Sequence, residues 1–338
     1  MIDGPYYLRD STAVVDDQLS EALDLVEVRG VVRGMVSSGI GERGPWVARV
    51  STAVPLTSSA GFPLKFFAMV RGRARLSTDG VDGPIELVPG DVAILNGRTW
   101  VQIEGGVGDG PRREILPEVG FSSARLIGAN SGVGDLIVAG RVELNQAGDA
   151  LLLAALPPLG HIRAAADPTG AMGARLHWLF EEVTGTRLGS AFAIRQHGQL
   201  LLLEVLRAYV DQAELPPGWL RVLTDERLRP ALRLMHAEPG KHWGLEELAR
   251  EAAMSRTTFA ERFRTVAGVP PLAYLSRWRM LLARRALRVR DVPVQSLAAE
   301  LGYTSESAFS NAFKREVGES PLHYRRRARG ELAAARAQ

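Results

Sequence analysis

No cysteine occurs anywhere in this chain. That absence removes disulfides, thiolate-bound zinc, cysteine nucleophiles and thiol redox sensing together, and it suits a reducing compartment. There is no run of about 18 or more apolar residues, and Met1 to Asp10 shows no basic region followed by an apolar stretch. A membrane span and a signal peptide are therefore not expected, and a cytoplasmic protein is. Histidine is scarce and late: His161, His177, His197, His236, His242 and His323 are all there are. The segment before residue 150 thus offers no imidazole to a metal. Its carboxylates, such as Glu86, Asp91 and Glu104, read better as solvated or capping groups than as ligands. Ser37, Ser38, Ser58 and Ser59 sit in no Gly-x-Ser-x-Gly elbow, and neither Gly39–Gly41 nor Gly132–Gly134 leads into Gly-Lys-Ser/Thr. No catalytic residue, metal or cofactor is expected.

Lysine is almost missing too, with Lys65, Lys241 and Lys314 the complete set, so arginine carries the positive charge. That charge is unevenly placed. Residues 1–220 hold 19 Lys and Arg against 25 Asp and Glu, net −6; residues 221–338 hold 22 against 13, net +9; together they give the chain's +3. A preference for arginine cannot explain opposite signs in the two parts. A polyanion partner for the last third does.

A chain of 338 residues is long for a single core, and two domains are expected. From about Val47 to Glu104, short β-like runs (Phe66–Val70, Arg73–Ser77, Asp91–Leu95) alternate with turn clusters at Gly80–Pro84 and Pro89–Gly90. Further runs follow at Ser123–Ile127 and Leu136–Val142, and the pattern predicts a hairpin-rich barrel or sandwich. Near Leu151 helical spacing takes over. Ala171–Thr184 and Ser190–Ala213 carry long apolar stripes until Pro216-Pro217-Gly218 breaks the pattern, which places the linker there or just before Thr224.

Inside the basic segment lies a repeat. An offset of 50 residues pairs Ser255 with Ser305, Phe259 with Phe309, Phe263 with Phe313, Gly268 with Gly318, Pro271 with Pro321, Leu272 with Leu322 and Tyr274 with Tyr324. Upstream the offset is 49 (Leu248 with Leu297, Ala249 with Ala298), so one turn is a residue longer than the other. Leu245, Leu248, Ala249 and Ala252 form one apolar stripe, and Phe259, Phe263 and Val266 form a second beyond a turn near Met254–Ser255. Val294, Leu297, Ala298 and Leu301, then Phe309 and Phe313, repeat the arrangement. Each copy therefore predicts helix, tight turn, helix. Between the copies, Pro271–Arg288 reads as one helix opened by proline. At about 1.5 Å per residue it spans roughly 27 Å, near the ~34 Å between successive major-groove faces on one side of DNA.

With the phenylalanines inward, the outward face of the second helix carries Thr257, Glu261 and Arg264, flanked by Arg256 and Ala260. In the second copy it carries Ser307, Asn311 and Lys314, flanked by Glu306 and Ser310. The candidates for base contact are Arg256, Thr257, Ala260, Glu261, Glu306, Ser307, Ser310 and Asn311, and for phosphate contact Arg264, Lys314 and Arg315. Asparagine pairs bidentately with adenine and glutamate accepts from cytosine N4, whereas arginine and lysine more often hold phosphates. Any one of these is equally a solvated surface residue. Arg325, Arg326 and Arg327 anchor the backbone or lie free.

The stretch Gly302-Tyr-Thr-Ser-Glu-Ser-Ala-Phe-Ser-Asn-Ala-Phe-Lys-Arg-Glu-Val-Gly-Glu-Ser-Pro-Leu-His-Tyr-Arg325 resembles the signature of the AraC/XylS family of transcription regulators. Met254-Ser-Arg-Thr-Thr-Phe-Ala-Glu-Arg-Phe263 with Pro271-Leu-Ala-Tyr-Leu-Ser-Arg-Trp-Arg-Met280 is similar to its first half. Many members have arginine where this sequence has Asn311, which leaves the bases of the second half-site open. Phe66–Leu76 and Glu86-Leu-Val-Pro-Gly-Asp-Val-Ala-Ile-Leu95 are similar to cupin-type sensor domains. The resemblance implies an α+β protein of two domains. Residues 1–215 would be a cupin-like β-barrel (about 30–150) with following helices (about 169–213), and 224–328 an all-α domain with two helix-turn-helix units joined by a linker helix. It also implies binding to double-stranded DNA, a homodimer on paired sites, a small-molecule effector and contact with RNA polymerase. Trp46, Phe66, Phe67, Met69 and Trp100 are the candidates for an effector pocket, although large apolar residues in a barrel are core by default. A barrel that only dimerises or touches polymerase, or a cupin-like isomerase or oxygenase that is tethered to DNA and requires a bound metal, remains an alternative.

Overall fold

The computed structural model describes residues 17–25, 28–30, 34–37, 45–51, 64–106, 111–115, 134–144, 149–164, 170–185, 187–212 and 215–337. They fall into two compact units. One holds the strands and the two helices after them; the other holds the C-terminal helices together with the first helix, α1 (Gln18–Leu25). The sequence alone places α1 with the β-rich part.

The strands are β1 (Val28–Gly30), β2 (Gly34–Ser37), β3 (Trp46–Ser51), β4 (Leu64–Arg71), β5 (Ala74–Thr78), β6 (Ile85–Leu87), β7 (Val92–Asn96), β8 (Trp100–Gly105), β9 (Arg113–Ile115), β10 (Leu136–Leu144) and β11 (Leu159–Ile162). The helices α2 (Ala171–Thr184) and α3 (Ser190–Gln212) follow. The runs expected at Phe66–Val70, Arg73–Ser77, Asp91–Leu95 and Leu136–Val142 are β4, β5, β7 and β10; Ser123–Ile127 lies outside the described residues. One sheet runs β1-β10-β4-β7-β11 with β2 also on β10, and the other runs β6-β5-β8-β3-β9. Their pairings are antiparallel except β3 with β9.

Side chains alternate along a strand, so each sheet turns one row toward the other. Phe67, Met69, Ala93, Leu95 and Ile137 from the first sheet share a buried cluster with Trp46, Ala48, Leu76, Val101 and Ile103 from the second. The opposite row of the first sheet is covered as well: Leu64, Phe66, Ile94 and Val142 face Leu201, Leu202 and Val205 of α3 across a small apolar cleft. Coverage on both sides explains why β4 reads as a nearly unbroken apolar run rather than an alternating one.

Two buried or half-buried aspartates tie the loops down. Asp135 accepts hydrogen bonds from Trp46 Nε1 (2.7 Å), the Gly106 N–H (2.7 Å) and the Arg73 N–H (3.2 Å). Asp91 accepts from the Ala164 N–H (2.8 Å) and the Val88 N–H (3.2 Å), and its Oδ2 lies 3.0 Å from His161 Nε2. Here the sequence reading needs correction: the sheet extends past residue 150, so His161 stands in β11 and does belong to the β-rich unit. Glu86 is paired with Arg73, and Glu104 with Arg75 and Arg112. Among the described residues no three His, Asp or Glu side chains are grouped as a metal site, and no helix is long and apolar enough to cross a membrane.

The helical unit contains α4 (Trp219–Thr224), α5 (Arg229–Ala237), α6 (Leu245–Glu251), α7 (Arg256–Ala267), α8 (Pro271–Val289), α9 (Val294–Glu300), α10 (Glu306–Val317) and α11 (Pro321–Ala337). Of the two places expected for the linker, Pro216-Pro217-Gly218 is non-helical, whereas the stretch just before Thr224 is helical from Trp219. Trp219, Leu220 and Val222 are buried, and burying these apolar groups stabilises a short helix directly after the Pro-Pro-Gly loop. The Gly218 N–H also donates to Val266 O at the end of α7 (2.9 Å). At the other side of the unit Asp17 caps α1, accepting from the Leu19 and Ser20 N–H groups. Ala22 and Leu25 are buried. Glu21 Oε2 lies 3.2 Å from His236 Nδ1, while His236 Nε2 is 3.0 Å from Tyr274 Oη and its ring stacks on Trp278 at 3.8 Å.

Candidate nucleic-acid interface

Six of the seven residues in the 50-residue repeat are explained by helix chemistry. Ser255 and Ser305 are N-caps, accepting from the N–H groups of Thr258 (3.2 Å) and Ala308 (3.1 Å). Each such cap is worth about 1 kcal/mol. Gly268 and Gly318 end α7 and α10 in the left-handed region (φ 73° and 89°), where a Cβ is strained. Pro271 and Pro321 open the next helices at a position that needs no N–H. Phe259 and Phe263 in the first copy, and Phe309 and Phe313 in the second, are fully buried.

The repeated tyrosine closes an aromatic ladder. Phe263 meets Tyr274 edge-on at 5.5 Å and 72°, and Phe313 meets Tyr324 at 5.6 Å and 73°. Phe259–Phe263 and Phe309–Phe313 are 5.7 and 5.8 Å apart. Edge-to-face pairs contribute about 0.5–1.5 kcal/mol beyond burial, so the same device locks α7 and α10 to the helices after them. The seventh repeated position, Leu272 and Leu322, is exposed in both copies.

The one-residue slip in the repeat lies in the turns. Four residues separate α6 from α7, and five separate α9 from α10. The shorter turn uses Ala253 at φ 51°, the longer one Gly302 at φ 76°. α8, expected over Pro271–Arg288, runs one residue further and contributes Tyr274 toward Phe263 of the first pair, Trp278 toward His236 of α5, and Met280, Ala283 and Leu287 to the core of the second pair.

Packing the phenylalanines inward turns the predicted faces outward. Arg256, Thr257, Glu261 and Arg264 on α7, and Glu306, Ser307, Asn311, Lys314 and Arg315 on α10, are exposed; Ala260 and Ser310 are half-buried on the flanks. Among the described residues the side chains of Thr257, Arg264, Asn311 and Lys314 have no hydrogen-bond or ion-pair partner within the chain. Arg256 lies 3.6 Å from Glu246 and Arg315 3.8 Å from Glu316, both exposed pairs that hold little energy.

Sequence reasoning passed over Arg262. This residue of α7 points back into the unit, its Nη2 2.8 Å from Asp225 Oδ2 and its Nε 3.2 Å from Oδ1. Asp225 Oδ1 also accepts from the Arg227 and Leu228 N–H groups. A wheel that places Arg262 three residues from Phe259 marks it as partly inward, but nothing in the sequence names its partner 37 residues upstream. In the basic terminal helix, Arg325 donates to Val292 O, Arg327 pairs with Glu319, and Arg329 donates to Arg290 O and reaches Asp291. Arg326 stays exposed. Arg325 and Arg329 therefore staple α11 to the α8–α9 connection, and Arg327 ties it to the turn after α10.

The structure brings together three of the five effector candidates. Trp46, Phe67 and Met69 fill the inter-sheet core. Phe66 points the other way, into the cleft beneath α3, and half-buried Trp100 lies under the guanidinium of Arg49 at 4.8 Å.

Two family models match the chain: a cupin over residues 17–211 and a helix-turn-helix domain over 248–327. An AraC-like transcription regulator of Streptomyces lividans is 32% identical over 313 residues, covering 92% of this chain and 98% of its own. One of Streptomyces antibioticus is 33% identical over 317 residues with the same coverage. The DNA-binding domain of AdpA, solved in complex with a target DNA, is 34% identical over 32% of this chain and 96% of its own, with a TM-score of 0.31.

Proposed function

Since the chain belongs to the AraC-like family of DNA-binding transcription regulators, in which a cupin domain stands before a helical DNA-binding domain, we propose that α6–α7 and α9–α10 are two helix-turn-helix units reading two segments of one double-stranded site. The observation that carries this reading is the repetition of one scaffold (serine cap, phenylalanine pair, glycine cap, tyrosine) under two exposed faces with different side chains. The scaffold is duplicated and the reading residues are not. Base contacts come from Arg256, Thr257, Ala260 and Glu261 in the first unit and from Glu306, Ser307, Ser310 and Asn311 in the second; Arg264, Lys314 and Arg315 hold phosphates.

The working division is a sensor domain over 1–215, whose first helix α1 packs with the helical unit and whose two sheets are the walls of a cupin-like barrel, and a DNA-binding domain over 224–328 that α4 extends toward its N-terminal side. The protein acts in the cytoplasm as a homodimer on paired sites, responds to a small effector through the sheet unit and contacts RNA polymerase when bound. Selection from a random duplex pool with the full-length protein tests the central part. A two-part motif, with its parts about one helical turn apart, supports the reading; enrichment of no motif by folded protein refutes sequence-specific binding. A small molecule held at about 100 times its dissociation constant would raise stability by about 2.7 kcal/mol, so a saturable thermal shift is the sign of the effector.

A further inference from the structure

The two helix pairs meet at a joint separate from their DNA-facing surfaces. The loop between α5 and α6 carries Gly240, and the turn between α9 and α10 carries Gly302. A Cβ on Gly240 would collide with the carbonyl oxygen of Glu300, and one on Gly302 with the carbonyl oxygen of Gly240. The two backbones touch directly, and each glycine is needed for the other. Across this contact lies Arg279, in the middle of α8. Its Nε donates to Pro239 O and its Nη2 to Lys241 O (2.8 Å), while its guanidinium sits 5.8 Å from the ring centre of Tyr303. Tyr303 in turn meets Phe309 of α10 edge-on at 5.4 Å. One half-buried side chain thus grips the loop before the first helix pair and the turn inside the second. Burial pushes its pKa down, and the neighbouring Tyr303 acts in the opposite direction.

We propose that the Gly240–Gly302 contact and Arg279 fix the angle between α7 and α10, and that they thereby select the separation of the two half-sites. This rests on the reading of α7 and α10 as DNA-reading helices. Each added base pair moves the second half-site by about 3.4 Å and turns it by about 34° about the DNA axis. A helix pair free to pivot on α8 alone would follow such a change; a pair clamped at a second point, away from the α8 axis, would not. Arg279 is a positioning residue in this account, since it touches backbone and ring rather than DNA.

The test uses the full-length protein and duplexes carrying its selected two-part motif, with the separation varied by one base pair either way. Wild type is expected to bind the selected separation at least about tenfold more tightly than either neighbour, a penalty of the size of a lost base contact. Arg279→Met keeps the apolar stem and loses both carbonyl bonds; it is expected to bind all three within about threefold while preferring the same bases. Arg279→Lys, which keeps a donor, should recover part of the discrimination, and Gly302→Ala should disturb it from the other side. A merely structural role would weaken binding equally at every separation, and that result, or unchanged discrimination in Arg279→Met and Gly302→Ala, overturns the proposal. Failure of wild type to select a two-part motif at all removes the reading beneath it, a different result that needs no variant.

Discussion

Replacing Asp225 tests how α7 is held in place. Its carboxylate does two jobs at once: it accepts the Arg227 and Leu228 N–H groups ahead of α5, and it grips Arg262 through two contacts of 2.8 and 3.2 Å. Losing the cap costs about 1 kcal/mol. The ion pair is worth more than a surface pair because the Asp225 side chain is only 8% exposed, yet Arg262 is 37% exposed, so the 3–5 kcal/mol typical of breaking a buried pair reduces to about 1–2 kcal/mol. Asp225→Ala should therefore cost about 2–3 kcal/mol. Asp225→Asn keeps an acceptor for the cap and should cost about 1–2 kcal/mol, and a double-mutant cycle with Arg262→Met should show a coupling of about 1–2 kcal/mol. Because the chain has two compact units, one melting temperature mixes them. Hydrogen exchange of amides in α5 and α7 of the full-length protein reads the helical unit separately. Equal costs for the alanine and asparagine variants, with no coupling to Arg262, would refute the reasoning.

Other expectations follow from the same structure. Asn311→Ala should relax base preference at one position at a cost of about 1–3 kcal/mol, whereas Lys314→Ala should weaken binding to all sequences and reduce the salt slope by about one, as salt titrations on selected and scrambled duplexes will show. Phe313→Ala, removing a fully buried ring, should cost about 3–5 kcal/mol and impair the second half-site before the first. In the sheet unit, burial works against ionising Asp79, but the Thr99 and Trp100 N–H groups outweigh it and hold its pKa at about 2 against 3.8. A lowered folded pKa stabilises above the unfolded value and is lost as pH falls from about 4 to about 2. Thermal scans across that window should show a shallower pH dependence in Asp79→Asn than in wild type.

The helical unit is the more legible half because its instructions are local. Serine before α7 and α10, glycine after them, proline at the next helix start and phenylalanines four apart each act within a few residues, so the repeat displays both fold and outward face. Contacts across long separations left no such trace. Asp225 with Arg262, Glu21 with His236, and Arg279 with the 239–241 loop join segments whose nearness only the folded chain creates. The same limit hides how the effector candidates divide between the two faces of the sheet. Phe66 and Phe67 look alike in sequence, but strand alternation sends one to α3 and the other to the sheet core. His161 lies beyond the strands that the sequence pattern predicts because β11, which carries it, is four residues long and follows the change to helical texture.

The most direct measurement is to repeat the random-pool selection with two full-length variants, Glu261→Ala on α7 and Asn311→Ala on α10. If the two faces each read one segment of the site, each substitution changes bases in one half of the motif and leaves the other half as in wild type. Changes in the same half for both variants, or no change for either, would contradict the assignment of α7 and α10 as separate readers.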